Sequence, residues 1–138
     1  MNLFLKRKTE LKPHLMAPLY LPYKGGELLG FFLDNFTNHA ELIKETILKN
    51  EQSCHRPSMP FLVVYDVTAT EITAEIAEFL IDSIGRMSKN IKKLAFVGAT
   101  RQGKKQIQNC LAKQSHVINT AVNYFSGHEP AKEWLIPR

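Results

Sequence analysis

Gly98-Ala99-Thr100-Arg101-Gln102-Gly103-Lys104-Lys105 fits the G-x-x-x-x-G-K spacing of a phosphate loop. It falls between a strand-like run and a helix-like run, where such a loop belongs. Three features argue against nucleotide hydrolysis. Lys105 stands where a magnesium-binding Ser or Thr is needed. The strand before the loop is not the first of its unit. The next strand ends in Asn123-Tyr124-Phe125, without an aspartate to support the metal. What survives is an anion site. Arg101, Lys104 and Lys105 crowd a helix start, where positive charge is unfavourable and an anionic group would compensate it.

The other reactive residues are scattered. Asp66 ends a strand and could serve as a general base, but no partner is identifiable, and a carboxylate capping the turn is the simpler reading. Thr68, Thr70 and Thr73 crowd one strand–helix junction; the simpler reading is helix capping by Thr70 or Thr73, and the functional one is a hydroxyl-rich ligand mouth or a phosphorylation site. Asp82-Ser83-Ile84-Gly85 looks like a D-S-x-G phosphoacceptor string, yet it lies within an apolar helical repeat and reads as helix surface. Cys54-His55 are adjacent rather than spaced as metal ligands, and Cys110 sits on an apolar stripe. No nucleophile elbow or paired acid and base is present. The sequence therefore names no catalytic residue, no metal ligand and no cofactor.

The elements that position these residues follow from periodicity. Pro13, Pro18 and Pro22 exclude a long helix near the start and allow an edge strand at 19–23. Lys24-Gly25-Gly26 reads as a turn before a strand over 27–33. Asn38, with Glu41 three residues on, predicts the N-cap of a helix carrying Ala40, Ile43 and Ile47. Residues 61–67 are apolar almost throughout, as in a strand buried on both faces of a parallel sheet. Ile72, Ile76, Leu80, Ile84 and Met87 form the stripe of a second helix. A third strand over 93–99 leads through the loop 98–103 to a helix over 104–114. A fourth strand spans 121–125. Ser126 and Glu129 then resemble a capping box for a last helix with Ala131, Trp134 and Leu135. From residue 27 the order is β-α-β-α-β-α-β-α, which implies a parallel sheet with right-handed crossovers. Loops leaving the carboxyl ends of its strands gather on one edge, where such sheets bind ligands.

Composition sets the bounds. The chain has 138 residues, 44% hydrophobic and 22% charged, as expected of one globular domain. No apolar run approaches the length needed to cross a bilayer. Two cysteines make no disulfide framework, and the N-terminal residues do not read as a signal peptide. A soluble, cytoplasmic protein is expected. Residues 66–82 contain acids and no base, and residues 83–128 contain bases and no acid. Helix-dipole preference explains part of that separation. No nucleic-acid motif accompanies the basic stretch.

Three stretches carry a family resemblance: Phe61-Leu62-Val63-Val64-Tyr65-Asp66-Val67-Thr68, Ile91-Lys92-Lys93-Leu94-Ala95-Phe96-Val97-Gly98-Ala99, and Asn123-Tyr124-Phe125-Ser126 followed by Ala131-Lys132-Glu133-Trp134-Leu135. Together they are similar to small STAS/SpoIIAA-like proteins, whose members often end in a pattern like F-x-[ST]-x-E-x-A-x-x-W-L. Phe125, Glu129, Ala131, Trp134 and Leu135 form a version of it, with Phe125 and Ser126 adjacent. The resemblance covers residues 27–136. It implies an α/β fold, a mostly parallel sheet in a right-handed βα superhelix, to which the edge strand that the prolines allow at 19–23 would be an extra N-terminal addition. Residues 1–24 are then an extension or edge strand, and 25–138 a single domain.

The better-known members of this group are anti-sigma-factor antagonists, switched by phosphorylation of a serine in a D-S-S-G-like motif after the central strand. The matching junction here, Val67-Thr68-Ala69-Thr70-Glu71, offers threonines and no such motif. Related lipid-transfer folds hold an apolar ligand between sheet and helices. The expectation is a non-enzymatic binding or regulatory module. It docks a protein partner or a small anionic ligand at the carboxyl edge, with Thr68, Thr70, Thr100, Arg101 and Lys104 as the rim. The alternative is a lipid or apolar-metabolite carrier touching membrane peripherally through Lys6-Arg7-Lys8. Nucleic acid is not expected as a partner, and a homodimer is left open.

Overall fold

The computed structural model describes residues 17–54, 60–114 and 118–137. Strand β1 (Leu19–Tyr23) turns through Lys24 and Gly25 into β2 (Gly26–Phe32). Helix α1 (Ala40–Gln52), strand β3 (Phe61–Asp66) and helix α2 (Ala74–Met87) follow. A short 3₁₀ turn leads into β4 (Ile91–Val97), then α3 (Arg101–Lys113), β5 (Ala121–Phe125) and α4 (His128–Leu135). The strands lie in sequence order, with β1 antiparallel to β2 and every later pair parallel. This is the α/β architecture that the alternation of periods implies, and β1 takes the expected place at the sheet edge.

Alternation along each strand divides the side chains between two cores. One face packs Leu29, Phe31, Val63, Tyr65, Leu94 and Phe96 against Ile43 and Ile47 of α1, Ile76, Leu80 and Ile84 of α2, and Ile107 of α3. Each such aliphatic side chain, once fully buried, stabilises the fold by about 1.5–3 kcal/mol. The other face is smaller. Leu28, Val64, Ala95 and Val97 pack with Ala131 and Leu135 of α4, and Leu21, Tyr23, Leu62, Phe125, Trp134 and Ile136 close the margin.

An aromatic row crosses the first face. Phe31, Tyr65, Phe96 and Tyr124 stand in register on four adjacent strands, with ring centroids 5.2, 5.8 and 5.7 Å apart. Each ring occupies the penultimate position of its strand. The next residues, Phe32, Asp66, Val97 and Phe125, are also in register and therefore turn to the α4 face. Asp66 is the one carboxylate in that otherwise apolar row.

Element boundaries depart from the periodicity at the helix starts. Asn38 is not the cap of α1: His39 holds that position without a side-chain bond, and its ring Nδ1 pairs instead with the Phe36 carbonyl at 2.8 Å. Helix α3 begins three residues earlier than the sequence suggests, because the Thr100 hydroxyl accepts the Gly103 N–H at 3.0 Å and caps it. Helix α4 has Gly127 at its cap position with no side-chain bond, so Ser126 and Glu129 form no capping box. Thr73, one of the two candidates, caps α2 by accepting from Ile76 N–H.

Candidate functional site

The carboxyl edge of the sheet is built from four loops that brace one another. Asn35 N–H donates to the Thr68 carbonyl at 2.7 Å, Thr37 N–H to Ala69 at 3.0 Å, and Glu71 N–H back to Thr37 at 2.7 Å. Gly98 N–H donates to Phe125 at 2.9 Å, carrying the bracing on to β5. Asn35, Thr37 and Ala69 hold left-handed backbone conformations at φ of 64°, 54° and 57°. Residues with a Cβ avoid this region, and it persists only where surrounding contacts impose it. Gly98, at φ 82°, shows why glycine is needed there. A Cβ on it would lie 1.9 Å from Thr68 Oγ1 and 2.9 Å from Thr68 Cα.

Beneath this edge Asp66 and His128 meet. His128 Nε2 lies 2.8 Å from Asp66 Oδ2, and Thr68 N–H donates to Oδ1 at 2.9 Å. Asp66 is 8% exposed. Burial works to raise its carboxyl, but the Thr68 backbone N–H, the Thr68 hydroxyl and His128 together outweigh burial and hold it below the ordinary carboxylate value. Asp66 therefore both caps its turn, as its position suggests, and has a partner that sequence spacing does not reveal. His128 is the first residue of α4, 62 positions away. The pair ties the start of α4 to the end of β3. At the other end of the helix, Lys93 Nζ donates to the Trp134 carbonyl at 2.9 Å.

The residues singled out by sequence take different places around this edge. Thr68 is exposed on the rim, with its side chain against Gly98. Thr70 is not on the rim surface. It is 4% exposed, and its hydroxyl donates to the Leu33 carbonyl at 2.6 Å while accepting from Phe36 N–H at 3.0 Å. It bolts the β2–α1 loop to the β3–α2 loop. Thr100, Arg101, Lys104 and Lys105 are exposed at the start of α3, and Lys104 Nζ stands 5.1 Å from the Tyr124 ring centroid. None of the three cations has a carboxylate partner among the described residues.

The remaining motifs resolve structurally. Only residues 98–100 form a loop; Gly103 belongs to the first turn of α3, and a Cβ there would come 3.3 Å from Ile72 Cβ. That glycine permits helix packing and does not wrap a phosphate. In the D-S-x-G string, Asp82 is helix surface as expected, accepting from Gln114 at 2.8 Å. Ser83 is not: it is fully buried and donates to Glu51 Oε1 at 2.9 Å, because its position on α2 turns toward α1. Cys54 is buried, and Cys110 is partly buried against the core. His55 lies outside the described residues, as do Lys6, Arg7 and Lys8. Among the described residues no three His, Cys, Asp or Glu side chains gather as a metal set, and no helix is long and apolar enough to cross a membrane.

No family model and no curated protein sequence matches the chain. A solved structure does. It is an uncharacterized protein from the DUF3478 family with a SpoIIAA-like fold, from Shewanella loihica PV-4. It superposes with a TM-score of 0.63 over 91% of this chain and 98% of its own, at 15% identity. The fold of this protein is SpoIIAA-like. The strand-by-strand resemblance read from residues 61–68, 91–99 and 123–135 thus holds at the level of architecture. The junction after β3 is the one that the sequence resemblance sets against the antagonists' serine motif. Here it carries one exposed threonine, Thr68, and one internally bonded threonine, Thr70.

Proposed function

We propose that the protein is a non-enzymatic binding module of SpoIIAA-like type. Its carboxyl edge docks an anionic group presented by a protein partner or a small ligand. One observation carries this reading. Asn35, Thr37 and Ala69, held left-handed, and Gly98 all belong to the mutually hydrogen-bonded loops of this edge. Backbone strain of this kind concentrates at ligand clamps, where it pre-sets the binding geometry. On that platform Thr100 supplies a hydroxyl proton, Thr68 stands exposed on the rim with its hydroxyl engaged by Asp66, and Arg101 and Lys104 supply charge that no carboxylate among the described residues opposes. Thr70 contributes by bracing the platform and not by touching the ligand.

Inorganic phosphate is the simplest probe of the rim. Calorimetric titration should show saturable binding to the wild type, weakened about tenfold or more in the double variant Arg101→Ala/Lys104→Ala. Equal affinities would overturn the assignment.

A second reading, a carrier of a lipid or apolar metabolite, is favoured by a groove of about 280 Å³ beside α1. Among the described residues it is lined by Ala17, Pro18, Leu42, Glu45, Thr46, Lys49 and Asn50. Flotation with liposomes tests the peripheral membrane contact that this reading includes. Binding that does not depend on anionic lipid argues against it.

A further inference from the structure

Among the described residues β1 and β5 form the two edges of the sheet, and they are built differently. On β1, Pro18 at the approach and Pro22 within the strand remove backbone donors, a common way to blunt an edge. On β5 the sequence is AVNYF, with neither proline nor charge. Phe125 carbonyl accepts from Gly98 on the β4 side. Alternation therefore directs the backbone groups of Ala121, Asn123 and Phe125 toward β4 and those of Val122 and Tyr124 outward. Tyr124 N–H is covered by its neighbour's side chain, bonding to Asn123 Oδ1 at 2.8 Å. Among the described residues, the Val122 N–H and the Val122 and Tyr124 carbonyls remain for a partner.

Charge beside this edge selects the partner. Arg101, Lys104 and Lys105 stand at i, i+3 and i+4, on one side of α3. The Lys104–Tyr124 contact places that side over β5. No acid occurs anywhere between residues 83 and 128. A second copy pairing edge to edge would bring two such cation groups together at the seam, which like-charge repulsion opposes. We propose that β5 is a docking strand for an extended acidic segment of a partner protein, which joins the sheet as a sixth strand. Alternate side chains of that segment face α3, where carboxylates meet Arg101, Lys104 and Lys105. The others lie beside the half-buried Phe125 on the α4 face. This surface goes beyond the carboxyl rim, although it shares Arg101 and Lys104 with it.

The test uses a fluorescein-labelled peptide of alternating glutamate and valine, about eight residues long, and a lysine–valine control. Anisotropy should show the acidic peptide binding at least about tenfold more tightly than the control, and less tightly as salt rises. Val122→Pro removes the outward donor without touching the β4–β5 ladder, and should weaken binding about tenfold or more. Binding to Val122→Pro at wild-type strength would overturn the proposal. So would equal affinity for the two peptides. If circular dichroism shows that variant unfolded, the wild type is titrated instead with an acidic peptide N-methylated on two successive central residues, which blocks both of its edges. Undiminished binding then refutes strand addition. Glu41→Gln, exposed in the first turn of α1, should leave peptide affinity unchanged. Failure of the rim reading shows in the phosphate titration alone, and failure of this one in the Val122→Pro comparison.

Discussion

Replacing Gly98 with alanine probes the bracing of the carboxyl edge at its tightest point. The new methyl would sit 1.9 Å from Thr68 Oγ1, and rotating that hydroxyl away would not suffice. Thr68 Cα and Cβ are each 2.9 Å from the same position, and backbone cannot swing aside. Alanine must also adopt a φ of 82°, which costs an L-residue about 1–2 kcal/mol. Forcing a methyl into a filled space adds about 1–3 kcal/mol. The combined loss, about 2–5 kcal/mol, is a large part of the 5–15 kcal/mol that holds a typical domain together. With an m-value of about 2 kcal/mol per molar urea, the unfolding midpoint should fall by about 1–2.5 M at unchanged m. Paired with Thr68→Gly, which removes the Oγ1 and Cβ contacts, Gly98→Ala should recover part of that loss but not the part due to φ. A single variant with the wild-type midpoint would refute the argument that the β3–α2 and β4–α3 loops are locked by close approach.

Two further predictions concern the same edge. Thr70→Val keeps the shape but leaves the buried Leu33 carbonyl and Phe36 N–H without partners. It should cost about 2–4 kcal/mol and speed hydrogen exchange at the Phe36 amide, whereas exchange at Phe36 as slow as in the wild type would count against the bolt between the two loops. The Asp66 carboxyl is held below its ordinary value in the folded state, so the folded protein binds its proton less readily than the unfolded chain. The stability this contributes is fully present above the unfolded value, near pH 4, and is lost as pH falls through the folded value. Urea midpoints should therefore show a wild-type advantage over Asp66→Asn that is constant at neutral pH and shrinks in acid. An advantage independent of pH down to strong acid would contradict it.

Much of the framework was legible because it rests on local pattern. The bounds of β1 and β5 follow from proline placement and from a short apolar run. Strand β3 follows from the unbroken apolar stretch that burial on both faces demands. The helix starts were less legible, because capping depends on whether a particular oxygen reaches a particular N–H. Asn38 has the right side chain and lies one residue before the cap position of α1. Thr100 caps α3 and moves its start upstream of the lysine that the phosphate-loop pattern emphasised.

The site divides along the same line. The spacing of apolar residues determined that parallel strands would end together and bring their exit loops to one edge, since a period of two or of 3.6 dictates which side chains must be buried wherever the element lies. Only the tertiary structure decided what each polar residue does there. Thr68 and Thr70 are two positions apart in the same loop, yet one is on the surface and the other is engaged beneath it. Ser83 looks like helix surface until α1 packs beside it. Asp66 finds His128 because α4 packs on the face of the sheet opposite to α1, α2 and α3, with its first residue against the end of β3. No local spacing encodes that contact. It arises because the smaller apolar face needs a cover, and the helix that provides one begins where Asp66 ends.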